Sequence, residues 1–157
     1  MSSAYAAFVK MWGSTYKPRE ACGLADLDEI EVKLGLLFPV SYREAMSEVG
    51  PVHAKIELLD GIVDNELDQN DLSELFLPRY IEEALSWRDA GLPHNLLPIG
   101  SDCMGNMFCF NMTKLGSERV DDTPIWFFDH DFVTAEEIAP TFEAWIAAFL
   151  TVPMAND

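Results

Sequence analysis

The apolar positions of the chain open on a helical stripe. Tyr5, Phe8, Val9 and Trp12 fall at i, i+3, i+4 and i+7, one face of a helix for which Ser3 is the candidate cap. From Gly13 to Ala25 the periodicity lapses into loop, with Lys17-Pro18 and Gly23 as breakers. Asp26-x-x-Glu29 has the form of a capping box and predicts a helix that buries Leu27, Ile30 and Leu34 and ends at Gly35. Ser41-x-x-Glu44 is a second box, with its helix running through Glu48 and stopped by Gly50-Pro51. Ala54 to Leu59 reads as a strand, and the polar stretch Asp60 to Asn70 as a connection. Pro78 suits the first turn of another helix, with Tyr80, Ile81, Ala84 and Leu85 inward and Gly91 as its stop.

The second half changes period. Two short apolar runs, Leu96 to Ile99 and Met107 to Phe110, flank Gly100, Ser101, Asp102, Gly105 and Asn106, a spacing that predicts a hairpin around a turn tolerant of positive φ. A third run, Ile125 to Phe128, ends on Asp129-His130-Asp131. An amphipathic closing segment follows, whose helix from Thr141 to Leu150 buries Phe142, Trp145, Ile146 and Phe149, with the tail from Thr151 expected to fray. Helices, then consecutive strands, then a helix predict a single α+β domain over residues 1–157, a largely antiparallel twisted sheet packed against several helices.

Charge alters this picture most. Twenty-seven acidic residues against ten basic ones give a net charge of −17. A nucleic-acid binder needs the opposite sign to neutralise phosphates, and an anionic membrane surface is excluded by the same argument. A basic protein partner, in contrast, is attracted and its association accelerated. Seven carboxylates (Glu57, Asp60, Asp64, Glu66, Asp68, Asp71 and Glu74) lie within one stretch that has no Lys or Arg, either a solvated face or a binding surface. Asp121, Asp122, Asp129 and Asp131 extend that surface if the sheet ends lie beside it. No apolar run approaches the roughly 18 residues of a membrane span, and the first residues lack the form of a signal peptide. Cys22, Cys103 and Cys109 are odd in number and match no zinc spacing, so a reduced, cytoplasmic protein is expected. Cys103 and Cys109 are read as small buried hydrophobes that face each other across the hairpin.

Taken in order, these elements resemble a domain of the SUKH superfamily (the SMI/KNR type). The pattern is a helix ending in Gly, then Leu-Pro, then Tyr within the next helix, then a Gly-rich stop; KLGLLFPVSYREAMSEVGP supplies Gly35, Pro39, Tyr42 and Gly50. Phe38 stands where Leu is usual, and Gly50-Pro51 where Asn-Gly-Gly is usual. Farther on, Pro98 and Gly100, Gly105-Asn106, Trp126 with Asp129, and Phe142 with Trp145 fit the pattern, so the match runs over 26–150. The resemblance implies a binding domain, in particular a bacterial immunity protein that neutralises a toxin. Physically these positions specify a scaffold: Pro39 fixes a link between helices, Tyr42 and Trp126 fill the core, and Gly105-Asn106 makes a turn.

Catalytic chemistry finds little support. Asp129-His130-Asp131 offers ligand-type side chains, but neighbours on an extended segment point to opposite faces and do not converge. Ser101-Asp102 lacks a nucleophile elbow, Cys22 lacks a paired His, and Gly100 to Gly105 lacks the Lys of a phosphate loop. Glu136-Glu137 reads as the acidic first turn of the last helix. The sequence therefore predicts a non-catalytic protein without metal or cofactor. Its expected partner is a basic toxin domain, with a nuclease as one candidate, whose active site it occludes. The alternatives are a cytosolic scaffold or regulatory domain of the same fold and, behind it, a metal-dependent hydrolase using Asp129, His130 and Asp131.

Overall fold

A computed structural model describes residues 3–15 and 20–155; the Lys17-Pro18 breaker and the last two residues of the tail lie outside them. Helix α1 spans Ser3–Trp12, with Ser3 inside the helix rather than ahead of it as a cap. Its stripe of Tyr5, Phe8, Val9 and Trp12 is fully inward and docks on α6, Phe142–Phe149. The rings of Phe8 and Phe149 meet edge-on at 5.6 Å. The Trp12 indole Nε1 donates to the Phe149 carbonyl at 2.9 Å, so the amphipathic ring buries its body and still satisfies its one donor.

Helix α2, Leu24–Leu34, begins two residues before Asp26 with Gly23 at its cap and no side-chain cap, so the predicted box there does not form. Asp26 sits instead in the first turn, where a carboxylate complements the helix dipole. Gly35 ends the helix as predicted, at φ +70°, the left-handed conformation that costs glycine least. Helix α3 is Val40–Glu48 with Pro39 at the cap position, which puts Ser41 within the first turn and voids the second box. The inward side of α2 also departs from expectation. Leu27 is buried, Ile30 and Leu34 only partly, and Glu31 is 4% exposed.

That carboxylate accepts from Arg43 Nη1 at 2.9 Å, from Arg119 Nη1 at 2.6 Å and Nη2 at 3.2 Å, and from the Phe38 amide at 2.7 Å. Arg119 also donates to the Phe38 carbonyl at 2.8 Å. Four acceptor directions on one buried carboxylate are thus filled by charged or backbone donors, the condition under which burying it is tolerable.

After Gly50, whose φ of +97° and contact with the Glu20 carbonyl exclude a Cβ, the chain makes only single bridges, Gly13↔Ala54 and His53↔Glu74. The predicted strand at Ala54 to Leu59 is absent. Helix α4, Glu57–Asp64, occupies the ground because Leu58 and Ile62 recur at i and i+4 and are buried on one side. The helix expected from Pro78 is broken into a 3-10 turn (Pro78–Tyr80), a short α5 (Ile81–Ala84) and a second 3-10 segment (Leu85–Ala90) ending at Gly91. Ile81 is buried, but Tyr80 points outward beneath Arg79, 5.0 Å from its ring. The tail does not fray where it is described: Val152 is buried, and Pro153 covers Gly61 of α4.

Five strands form one antiparallel meander in chain order: β1 Glu74–Leu75, β2 Leu96–Ser101, β3 Met107–Asn111, β4 Ile125–Asp129 and β5 Thr134–Ala139. The α+β class and antiparallel sheet follow the sequence reading. The register aligns Leu97 with Phe110 and Phe108 with Phe127, placing these residues on the face that meets α1, α3 and α6. The opposite face carries a smaller cluster of Leu92, Leu96, Met107, Cys109 and Phe128, with Trp126 only partly buried. Pro98 is tolerated because β1 pairs only with Gly100 and Ser101, leaving β2 without a neighbour strand where the missing N–H would matter. Glu136-Glu137, expected as the acidic first turn of the last helix, belongs instead to the outer strand β5.

Two stability measurements test this arrangement. Trp145, 4% exposed and 4.8 Å from the Phe108 ring, should cost about 3–5 kcal/mol when replaced by Ala, and the half-buried Trp126 clearly less. Glu31→Ala, which leaves Arg43 only Asp28 (2.6 Å) and Arg119 only the Phe38 carbonyl, should cost about 2–3 kcal/mol. Urea denaturation reads both; a Glu31→Ala loss below about 1 kcal/mol would show that the cluster does not hold α2, α3 and the Arg119 segment together.

Candidate functional site

The outer strand, the last helix and the connection after α4 enclose a groove of about 620 Å³. The nearly buried Phe108 and Trp145 lie at its base; Ile138 and Ala139 of β5 with Pro140 just after it form one wall, and Ala144, Ala148 and Phe149 of α6 another. Asp68 and Glu136 stand at its rim, Glu137 adjoins it with its side chain on the other face of the sheet, and among the described lining residues there is no Lys, Arg or His. The local causes are simple. Each side chain of β5 alternates across the sheet, so Glu136 pairs with Phe127 and Glu137 with Trp126, two adjacent carboxylates presented on the two sides of one exposed strand. A mostly polar groove with carboxylates and no cations along it suits a cationic ligand.

The sequence singled out Asp68 but not its companions. From the sequence Glu136 and Glu137 read as the acidic first turn of a helix, and the signal that marks them as a strand is weak, since only Ala139 of β5 is buried. The acidic run is divided by the structure. Glu57, Asp60 and Asp64 project from α4 and, with Glu66 and Asp68, are exposed. Asp71 is 7% exposed and accepts from the Cys103 amide at 3.2 Å, and Glu74 lies 3.7 Å from His53 Nε2 in β1. These two belong to the scaffold more than to a free surface.

The remaining predicted carboxylates separate to opposite ends of β4. Asp122 accepts from the amides of Phe142 at 2.8 Å and Glu143 at 3.3 Å, capping α6, while Asp121 stays exposed beside α3. Asp129 is turned back on its own chain, accepting from the amides of Asp131 at 2.9 Å and Phe132 at 3.2 Å. His130 donates from Nδ1 to Asn106 Oδ1 at 2.8 Å and tilts against the Trp87 ring. Asp131 is exposed. His130 Nε2 stands 3.5 Å from Asp131 Oδ1, but Asp129 is turned away onto its own amides, so the triplet does not converge as a set of three; among the described residues no three His, Cys, Asp or Glu side chains are grouped to hold a metal ion.

The Asn106–His130 link joins the β2–β3 and β4–β5 turns at one end of the sheet. Gly105, at φ +84°, lets the first turn close, and Asp102 accepts the amides of Met104 and Asn106, each at 2.9 Å. Met104, Phe132 and Val133 are exposed there, and Val133 holds φ +53°, a strained value for a β-branched residue. Cys103 lies in this turn and is exposed, while Cys109 is buried and pairs in register with Pro98; the two do not face each other. The other family-pattern residues are structural. Tyr42 is buried against Phe38, Phe110 and Phe142 at 5.0, 5.2 and 5.7 Å, and burial pushes its phenol well above the ordinary range.

A family model, the SMI1/KNR4 family (SUKH-1), matches residues 21–148. The chain belongs to this family. Gly35, Pro39, Tyr42, Gly100, Gly105, Asn106, Phe142 and Trp145 all fall inside the matched span and inside the scaffold just described. No curated protein matches the chain. No described helix is long and apolar enough to cross a membrane.

The turn cysteine gives a direct probe of this end of the sheet. Desolvation first, and then the Asp71 carboxylate beside it, push the Cys103 thiol up to about 11. Its alkylation by iodoacetamide should therefore be slow at neutral pH and rise until about pH 11, because only the thiolate reacts. Asp71→Asn should move the inflection down and speed the reaction; an unchanged pH profile would separate Asp71 from this turn.

Proposed function

We propose that this SUKH-1 protein is a non-catalytic binding domain, an immunity protein that neutralises a cognate toxin by covering its active site. The observation that carries the reading is the groove between β5, α6 and the connection after α4, rimmed by Asp68 and Glu136, with no cation among its described lining residues. Its surroundings share the sign, since Asp60, Asp64 and Glu66 are exposed on and after α4 in a chain of net charge −17. A basic toxin domain, of which a nuclease is one kind, carries the complementary charge on the cleft that holds its substrate. Docking there blocks access and needs no bond-making step.

The test is a titration of the product of the adjacent gene, in the genome of origin, with this protein. Occlusion gives a sharp equivalence point that chelator does not move. Inactivation that proceeds at sub-stoichiometric protein, or that disappears with EDTA, means catalysis or metal dependence.

Electrostatic assistance makes its own prediction. Association should slow by about tenfold or more between low and physiological salt, as exposed charges are screened beyond roughly 8 Å. Reversing Asp64, Asp68 and Glu136 to Lys should lower the on-rate and leave urea stability nearly unchanged, because all three are exposed. Asp71 is excluded from this set, since its carboxylate is buried on the Cys103 amide. An on-rate indifferent to both salt and charge reversal rejects the acidic surface as the docking face.

A further inference from the structure

The two margins of the sheet are not equivalent. At β1 the outer side is occupied: His53 bridges Glu74, the Leu75 amide donates to the Val52 carbonyl at 2.9 Å, and the Ala54 amide donates to the Ser73 carbonyl at 2.8 Å. At β5 no described residue bonds the backbone on the side away from β4. Six residues of extended chain, Thr134–Ala139, therefore present an unfilled ladder of donors and acceptors along the lip of the groove. Such an edge is a template for another strand.

Its side chains decide which strand fits. A second copy pairing antiparallel on β5 would bring Glu136 and Glu137 against their own equivalents, in a protein that already carries a net charge of −17. Like charges directly opposed across a strand pair are destabilising. The same two carboxylates match a strand with cations at two successive positions, one for each face of the sheet. Beyond them the exposed Ile138 lines the groove and offers apolar surface next to the carboxylates.

We propose that β5 receives an extended cationic segment of the protein partner as a sixth strand. Main-chain bonds to Thr134–Ala139 hold the segment, two adjacent Lys or Arg side chains meet Glu136 and Glu137, and an apolar side chain next to them enters the groove. In an antiparallel strand the apolar residue precedes the cations. This proposal rests on the reading of the domain as a protein binder and specifies where and how the partner docks.

The test uses the intact chain and two short synthetic peptides. One is Thr-Val-Arg-Lys-Val-Thr with blocked ends, and the other has Glu in place of Arg and Lys. The cationic peptide should bind and the acidic one should not, and on binding the amides of residues 134–139 should exchange with solvent at least about tenfold more slowly. A double variant, Glu136→Lys with Glu137→Lys, checked for an unchanged circular dichroism spectrum, should reverse the preference to the acidic peptide. Binding of the cationic peptide without slower exchange at 134–139 overturns strand addition and leaves the protein-binding reading standing. Binding of neither peptide overturns the proposal. A dimer that protects residues 134–139 without peptide assigns the edge to a second copy and overturns it as well. Loss of stoichiometric toxin inhibition in the titration above is a separate result, and it removes the function on which the proposal rests.

Discussion

The buried carboxylate of Glu31 is the contact on which the arrangement of the helical half depends. It is reached by Arg43 from α3 and by Arg119 from the segment that leads into β4, and it accepts the Phe38 amide between α2 and α3. Without a negative charge there, two guanidinium groups would face each other across the start of α3. With it, the amides of Val40 and Ser41 are brought onto the carbonyls of Val120 and Asp121, at 2.9 and 3.0 Å. Tyr42 is then held between Phe38, Phe110 and Phe142, linking α3 to the sheet and to α6. Glu31 also shapes the outside of the protein. Two of the ten basic residues are drawn to an internal partner, so the surface is more acidic than the composition alone implies.

What the sequence displayed, and what it hid, follows from where each element buries its side chains. β2, β3 and β4 are nearly continuous apolar runs because most of their residues are covered on both faces of the sheet. Helices α1 and α6 show clean stripes because one side of each is core. β5 has no such mark. As an outer strand with four of its six residues exposed, it reads as polar chain beside a helix. α4 is short, and its Leu58–Leu59 pair imitates a strand until Ile62 is seen to share a face with Leu58. Both capping boxes matched a local pattern, but Pro39, with its fixed φ, started α3 earlier, and α2 began ahead of Asp26 at a glycine.

The candidate site was half legible for the same reason. Its Asp68 belonged to a conspicuous charge run, yet the partners of that run's other members lie far off in sequence. Asp71 is engaged by an amide 32 residues later, and nothing local to it distinguishes a buried carboxylate from an exposed one. Glu31 likewise meets Arg119 across 88 residues. The groove itself joins the connection after α4, β5 and α6, and only the folded sheet brings Phe108 beneath them. Family membership fixes the scaffold, and the scaffold does not by itself fix what is bound.

The docking of α1 on α6 has a consequence for how the protein comes into being. The Trp12–Phe149 contact spans 137 positions, while the meander is built from strands that follow one another along the chain. On the ribosome the hairpins of the sheet can close as they emerge, but the stripe of Tyr5, Phe8, Val9 and Trp12 has no α6 to cover it until nearly all of the described chain has been made. From the synthesis of α1 to that of α6, an aromatic stripe therefore waits uncovered for its partner.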